Sequence, residues 1–378
     1  MRKKWLSFFI VLVLVLGICP AVQADVVDVK AESAVVMDPD SGRVLYEKNP
    51  DKRLPPASMT KLMTLILACE ALEKGTVKPD EKVSTSENAW KLGGSQIYLE
   101  PGEEMTYWDM LVSIAVGSAN DSCVAVAEHL AGSHEAFVQK MNDKAKQLGL
   151  KNTHFVNAYG LPTPDHYSSA RDMATMGVYA LKRPKLMELT RIKEYSLREG
   201  KFKLFNTNKL LWWYKGADGF KTGWTNEAKF CLVSTVKRND LRLVASVLAS
   251  PEARGNFRDS MTLYNYFFAR YAYKSFVGSG TMVGLTTVGK GADDSVEIVS
   301  AAPIGTICEK GEESKITYTK QVESYVNAPL RKGDVIGYAM IFNNGKQVKR
   351  VDLVAARDVA KSTLWEEIRK MWRKIFVL

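Results

Sequence analysis

The chain is short of the side chains that hold metals. Its four histidines, His129, His134, His154 and His166, form no HExxH or comparable spacing, which argues against a zinc enzyme. Its five cysteines, Cys19, Cys69, Cys123, Cys231 and Cys308, include no CxxC pair, so a metal knuckle or a dithiol redox site is not expected. Three of the last four sit in apolar runs, the usual setting of buried free thiols. No short repeat or low-complexity tract is present, which excludes a solenoid or a disordered scaffold. The one long apolar run, Trp5 to Cys19, is short for a membrane span. No motif for a metal or organic cofactor is found, and none is expected.

That run has another reading. Arg2, Lys3 and Lys4 precede it, and Val22-Gln23-Ala24 follows with small residues before Asp25. A positive n-region, an apolar h-region and a small-residue cleavage site make a secretory signal peptide, residues 1–24. Its removal takes away three basic residues and no acid, bringing the net charge from +10 to +7. Export makes nucleic acid an improbable partner for this surplus. Anionic wall polymers and lipid head groups suit it better.

The mature part divides in two. Ala34 to Met37 and Val44 to Tyr46 read as a hairpin around Asp38-Pro39-Asp40-Ser41-Gly42. Helices are expected over 58–74, apolar nearly all round, then from Thr106/Asp109 to about Gly117, over 121–131 and over 135–148. Strands follow over 230–236 and 241–248, then an aromatic-rich helix over 257–271. This is an α/β domain, residues 25–275, an antiparallel sheet with helices. Residues 280–356 alternate β-branched runs with turns, Asn344-Gly345 among them, and read as a small all-β domain. In 361–378, Leu364, Trp365, Ile368, Met371, Trp372 and Ile375 share one helical face and most basic residues lie elsewhere. That is an amphipathic helix suited to the membrane interface, too short and too charged to span.

Three small motifs carry the chemistry. In Ser58-Met59-Thr60-Lys61, residues three apart share a helix face, so hydroxyl and amine can meet. A serine attacks only when a base takes its proton, and a desolvated lysine is neutral enough to do so. Ser118-Ala119-Asn120 falls between two expected helices, where a hydroxyl and an amide can face a cleft. Lys221-Thr222-Gly223, followed by Trp224, lies on or beside a strand; its Lys and Thr suit a carboxylate, and its Gly permits close backbone approach. Each motif alone is weak. Their order and spacing together match the SxxK, SxN and KTG signature of penicillin-binding proteins and class A β-lactamases.

With these motifs, and with Pro56-Ala57-Ser58-Met59-Thr60-Lys61-Leu62-Met63-Thr64, Gly160-Leu161-Pro162, His166-Tyr167-Ser168 and Gly216-Ala217-Asp218-Gly219-Phe220, the chain resembles a known family. These are the low-molecular-mass penicillin-binding proteins that act as serine D-alanyl-D-alanine carboxypeptidases. The resemblance implies a transpeptidase-like catalytic domain and a substrate in the stem peptides of peptidoglycan, with β-lactams as inhibitors. It implies that Ser58 is the nucleophile, Lys61 its base, and Ser118 a proton relay to the leaving D-alanine. Asn120 would hold the substrate amide, and Lys221, Thr222 and Gly223 its carboxylate end. The N–H groups of Ser58 and Trp224 would form the oxyanion hole. His166 is expected to be structural, and attachment to the outer face of the membrane is expected through the C-terminal helix.

Two positions depart from the family pattern. Lys229 stands where a glycine is usual, and Asn256 where an arginine commonly helps bind the substrate carboxylate. A catalytically weakened binding protein, a DD-endopeptidase and a β-lactamase on the same fold are therefore the alternatives. For the last, no deacylating carboxylate stands out.

Overall fold

The computed structural model describes residues 27–376, with side chains as far as Trp372. The expected signal peptide lies outside the described residues. Five strands, β1 (Ser33–Met37), β2 (Val44–Lys48), β3 (Ala217–Thr225), β4 (Lys229–Arg238) and β5 (Leu241–Ser250), form one antiparallel sheet in the order β2-β1-β5-β4-β3. Its three inner strands, β1, β5 and β4, are buried on both faces, and the period of two sorts the side chains. Val35, Val233 and Val244 enter one core; Ala34, Val36, Leu232, Leu243 and Ala245 enter the other.

The first core is filled by α1 (Lys61–Glu73), α2 (Asn120–Ala131) and α3 (Ala170–Ala180). Because α1 is buried around most of its circumference, it carries almost no polar stripe. Leu62, Leu65 and Ile66 are fully buried there, and truncating any one to Ala costs about 2–5 kcal/mol. The second core rests on α4 (Gly255–Arg270), whose Phe257, Leu263, Tyr264 and Phe267 face the sheet.

Thr106 caps its helix by accepting the Asp109 N–H, as its sequence predicts. That helix then widens from α over Tyr107–Val112 to π over Ser113–Gly117. The apolar pattern is blind to this change of pitch. The chain leaves α4 at Arg270, and strand Tyr271–Val277 pairs with Ile304–Glu309 instead of joining the five-stranded sheet. The C-terminal all-β domain is built on a six-stranded sheet with its own core, including Ile298, Ile341 and Leu353. Asn344 (φ 49°) and Gly345 (φ 77°) make the hairpin turn between Val335–Asn343 and Lys346–Ala355.

The last described element is α5 (Leu364–Phe376). Thr363 and Glu366 cap it reciprocally, Glu366 N–H to Thr363 Oγ1 and Thr363 N–H to Glu366 Oε2. Lys370 ties it to the β domain by donating to Gly291 O and Asp294 Oδ1, both at 2.6 Å.

Candidate active site

Ser58 lies in one 3-10 turn, Ala57–Thr60, and Lys61 begins α1. Side chains three apart eclipse in a 3-10 turn more closely than in an α-helix. Lys61 Nζ consequently sits 2.8 Å from Ser58 Oγ. It also lies 2.7 Å from Asn120 Oδ1 and 2.6 Å from Tyr159 O. The three oxygens accept the three protons of the ammonium; once one proton is lost, the amine can keep both carbonyl-type oxygens and turn its lone pair to the serine O–H. Burial lowers the Lys61 pKa to about 8, although the nearby Cys123 and Asp121 oppose the shift.

Ser118 is held at φ 62° at the end of the π turn and is nearly buried. Its side chain makes no hydrogen bond among the described residues. Asn120 opens α2 and is clamped on both sides, accepting from Lys61 and donating from Nδ2 to Gly93 O at 2.7 Å. Asp121 next to it is buried and accepts the N–H groups of Ile97 and Leu99, which fixes the 97–99 segment beside the cleft.

Lys221, Thr222 and Gly223 lie on the edge strand β3, whose hydrogen-bonding rim faces the Ser58 turn. A Cβ at Gly223 would meet Pro56 O at 2.6 Å, so only glycine lets the strand come this close. Gly160 presses from another side; it has φ 89°, and a Cβ there would lie 2.0 Å from Ala57 O. Lys221 is buried, and its one hydrogen bond among the described residues runs to its neighbour's carbonyl, Thr222 O, at 3.2 Å. Burial first, and repulsion from Lys61 second, lower its pKa to about 7. Thr222 Oγ1 donates to Thr207 Oγ1 at 2.7 Å. Trp224 is largely exposed and tilts against Phe230.

The structure thus brings Ser58, Lys61, Asn120 and the Lys221–Trp224 run to one place, with Ser118 two residues before Asn120 in the turn that opens α2. Ser58, Asn120 and Trp224 line a cavity of about 500 Å³ that also takes in Gly160–Pro162 and residues 225–227. Two contributors were not foreseen from the sequence: Tyr159 through its carbonyl and Thr207 behind Thr222. Carbonyls leave no mark in a sequence, and Thr207 reaches the site only by tertiary packing. His166 is buried, accepts the Val156 N–H on Nδ1 and lies 2.8 Å from Thr60 Oγ1 through Nε2. Burial drops its pKa to about 4, so it is a neutral brace beneath the loop.

Asn256 is buried at the start of α4; its Nδ2 donates to Cys231 O at 3.0 Å, and its Oδ1 has no partner among the described residues. Arg254 lies over Trp213 and Arg258 pairs with Glu252, and neither lines the Ser58 cavity. Lys229 is exposed with φ 55°, opposite Thr225 at the end of the β3–β4 hairpin. All four described cysteines are buried free thiols.

Residues 20–252 match the family model for D-alanyl-D-alanine carboxypeptidases, and residues 271–361 match the model for the penicillin-binding protein 5 C-terminal domain. The chain is 42% identical over 337 residues to the D-alanyl-D-alanine carboxypeptidase DacF of Bacillus subtilis (strain 168), covering 88% of this chain and 87% of that protein. Among solved structures, penicillin binding protein 5 from Haemophilus influenzae is similar with a TM-score of 0.70 and 32% identity, over 88% of this chain and 98% of that one. Penicillin-binding protein D2 from Listeria monocytogenes in its ampicillin-bound form is similar with a TM-score of 0.58 and 31% identity, over 64% of this chain and 98% of that one. Sequence identity across both domains and likeness of fold agree: the chain belongs to the D-alanyl-D-alanine carboxypeptidase family.

Proposed function

We propose that the protein removes the terminal D-alanine from peptidoglycan stem peptides through an acyl-enzyme on Ser58. The observation that carries this is the placement of Lys61 Nζ, fully buried and within 2.8 Å of Ser58 Oγ, with two further acceptors for its protons. Neutral Lys61 takes the Ser58 proton as Oγ attacks the carbonyl between the two D-alanines. The N–H groups of Ser58 and Trp224 hold the oxyanion. The C–N bond breaks as the proton taken by Lys61 is relayed through the Ser118 hydroxyl to the leaving amine, and D-alanine departs with Lys61 neutral again. Asn120 orients the amide of the donor peptide, while Lys221 and Thr222 hold the terminal carboxylate, with Gly223 keeping the strand close. Water then cleaves the ester. A β-lactam enters the same route but leaves an ester that hydrolyses slowly.

The substrate places the enzyme outside the cytoplasm, and α5 supports a peripheral membrane attachment there. Leu364, Trp365, Met371 and Trp372 are all well exposed and fall within about a third of the helix circumference. Lys370, on another side, makes the contacts to the β domain, so the face turned away from the protein is the apolar one. No helix among the described residues is long and apolar enough to cross a membrane.

Two measurements test this reading. Protein spanning residues 25–378 should release D-alanine from diacetyl-Lys-D-Ala-D-Ala, and a penicillin adduct mapped by mass spectrometry should sit on Ser58. An adduct elsewhere sinks the assignment of the nucleophile. Deleting residues 361–378 should reduce binding to anionic-lipid vesicles at least tenfold with turnover of the soluble tripeptide retained. Loss of that turnover in a folded deletion variant would contradict the anchor role.

A further inference from the structure

The Ser58 cavity has one end with a charge that the proposed chemistry does not use. Of the residues lining it, Glu227 is the only acid or base. Its carboxylate forms no hydrogen bond or ion pair among the described residues, in a chain whose net charge is +10. The turn that carries it is firmly held. Ala228 is buried, its N–H donates to Thr225 Oγ1 at 3.0 Å, and its carbonyl accepts from Cys231 Sγ at 3.2 Å. The backbone from which the exposed Glu227 side chain projects is therefore set by the scaffold.

Direction along the cleft follows from β3. Gly223 abuts the Ser58 turn, and Thr222, backed by Thr207, lies on its N-terminal side. With the terminal carboxylate at Thr222, the peptide residues before the scissile bond run the other way, past Trp224. Thr225 is about 7 Å beyond Gly223 at ordinary strand rise, and Glu227 follows in the turn. That is the distance of the residue preceding the penultimate D-alanine, and a diamino side chain there reaches a further ~6 Å at most.

We infer that Glu227 is a specificity-determining residue that selects donor peptides bearing a free side-chain amine at the position before D-Ala-D-Ala. This rests on the carboxypeptidase reading of the cleft. Leu161, Pro162 and Trp224 supply apolar wall for the methylene stem, and Glu227 supplies the counter-charge for the ammonium. Lys229 lies across the hairpin end and is no substitute, since it would repel such an amine.

The test compares three substrates that differ only at the lysine ε-nitrogen: Nα-acetyl-Lys-D-Ala-D-Ala with the amine free, acetylated or succinylated. A ratio of kcat/KM values within one protein sample cancels differences in active fraction. For the natural protein the order should be free amine, acetyl, succinyl, with about three- to fivefold between the first two, mostly in KM. The ratio should fall toward one at high salt. In Glu227→Gln it should be near one, and in Glu227→Lys the order should reverse. Equal rates in the natural protein, or a preference that survives Glu227→Gln, overturn the inference and leave the carboxypeptidase reading standing. No release from any of the three overturns both.

Discussion

Replacing Lys61 by Met is expected to lower kcat/KM for D-alanine release by about a thousandfold or more, with penicillin acylation falling in parallel. Methionine keeps the stem and much of the volume but cannot take the serine proton. Lys61→Arg should fail as badly, because a guanidinium does not give up its proton in this pH range. The pH dependence identifies the mechanism. Burial lowers the Lys61 pKa to about 8, so the neutral, working form grows as pH rises, and the acylation rate should climb through that pH. Lys221 is lowered to about 7 by burial and by repulsion from Lys61. A substrate carboxylate arriving beside Lys221 holds the proton there and leaves Lys61 as the neutral partner. Stopped-flow acylation across pH 6–10 measures this. A Lys61→Met protein acylating within tenfold of the natural one would remove lysine from the role of base.

Lys221→Met should separate stability from activity. The Lys221 ammonium is buried with one hydrogen bond among the described residues, at 3.2 Å, so the fold carries much of its desolvation cost. The folded-state pKa, about 7, lies below a lysine's ordinary 10.5. Between those values the unfolded chain binds more protons than the folded one, so this lysine makes stability rise with pH across that window. Below about 7 its cost is fully present. Lys221→Met removes that cost, stabilising the protein at pH 6 by about 2–4 kcal/mol and raising Tm by roughly 5 °C. The gain should shrink toward pH 10. Activity should fall about a hundredfold or more, as the terminal carboxylate loses its counter-charge. Calorimetry at pH 6 and pH 9.5 gives the answer; a variant less stable at pH 6 would mean that Lys221 is compensated by contacts other than those described.

The fold was legible where hydrophobic period and turn chemistry act locally. The β1–β2 hairpin, the buried α1 and the strands around Asn239-Asp240 follow from alternation, caps and left-handed turn residues, and the structure has them within a few residues. The 3-10 start at Ala57 and the π turn at Ser113–Gly117 were not legible, because pitch is decided by what the turn packs on. Leu204, for instance, lies against Gly117, where a Cβ would come within 2.8 Å of it. The short hairpin that carries Leu204, Glu194–Leu197 with Phe202–Phe205, gave no strong signal either. For the site, the three motifs supply the side chains that the structure gathers. The backbone partners and the second threonine are supplied by loops that reach the cleft from far along the chain.

The two glycines that crowd the Ser58 turn bear on how this cleft can change. With Gly223 and Gly160 each within van der Waals range of the turn's backbone, neither position accepts a side chain without displacing the nucleophile. Adaptation to a new acyl donor or a bulkier antibiotic is thereby channelled to the rim, to Leu161, Pro162 and the Trp224–Glu227 turn, where side chains already face open space. A lineage under drug pressure can redraw that outline many times while the reacting atoms stay where they are.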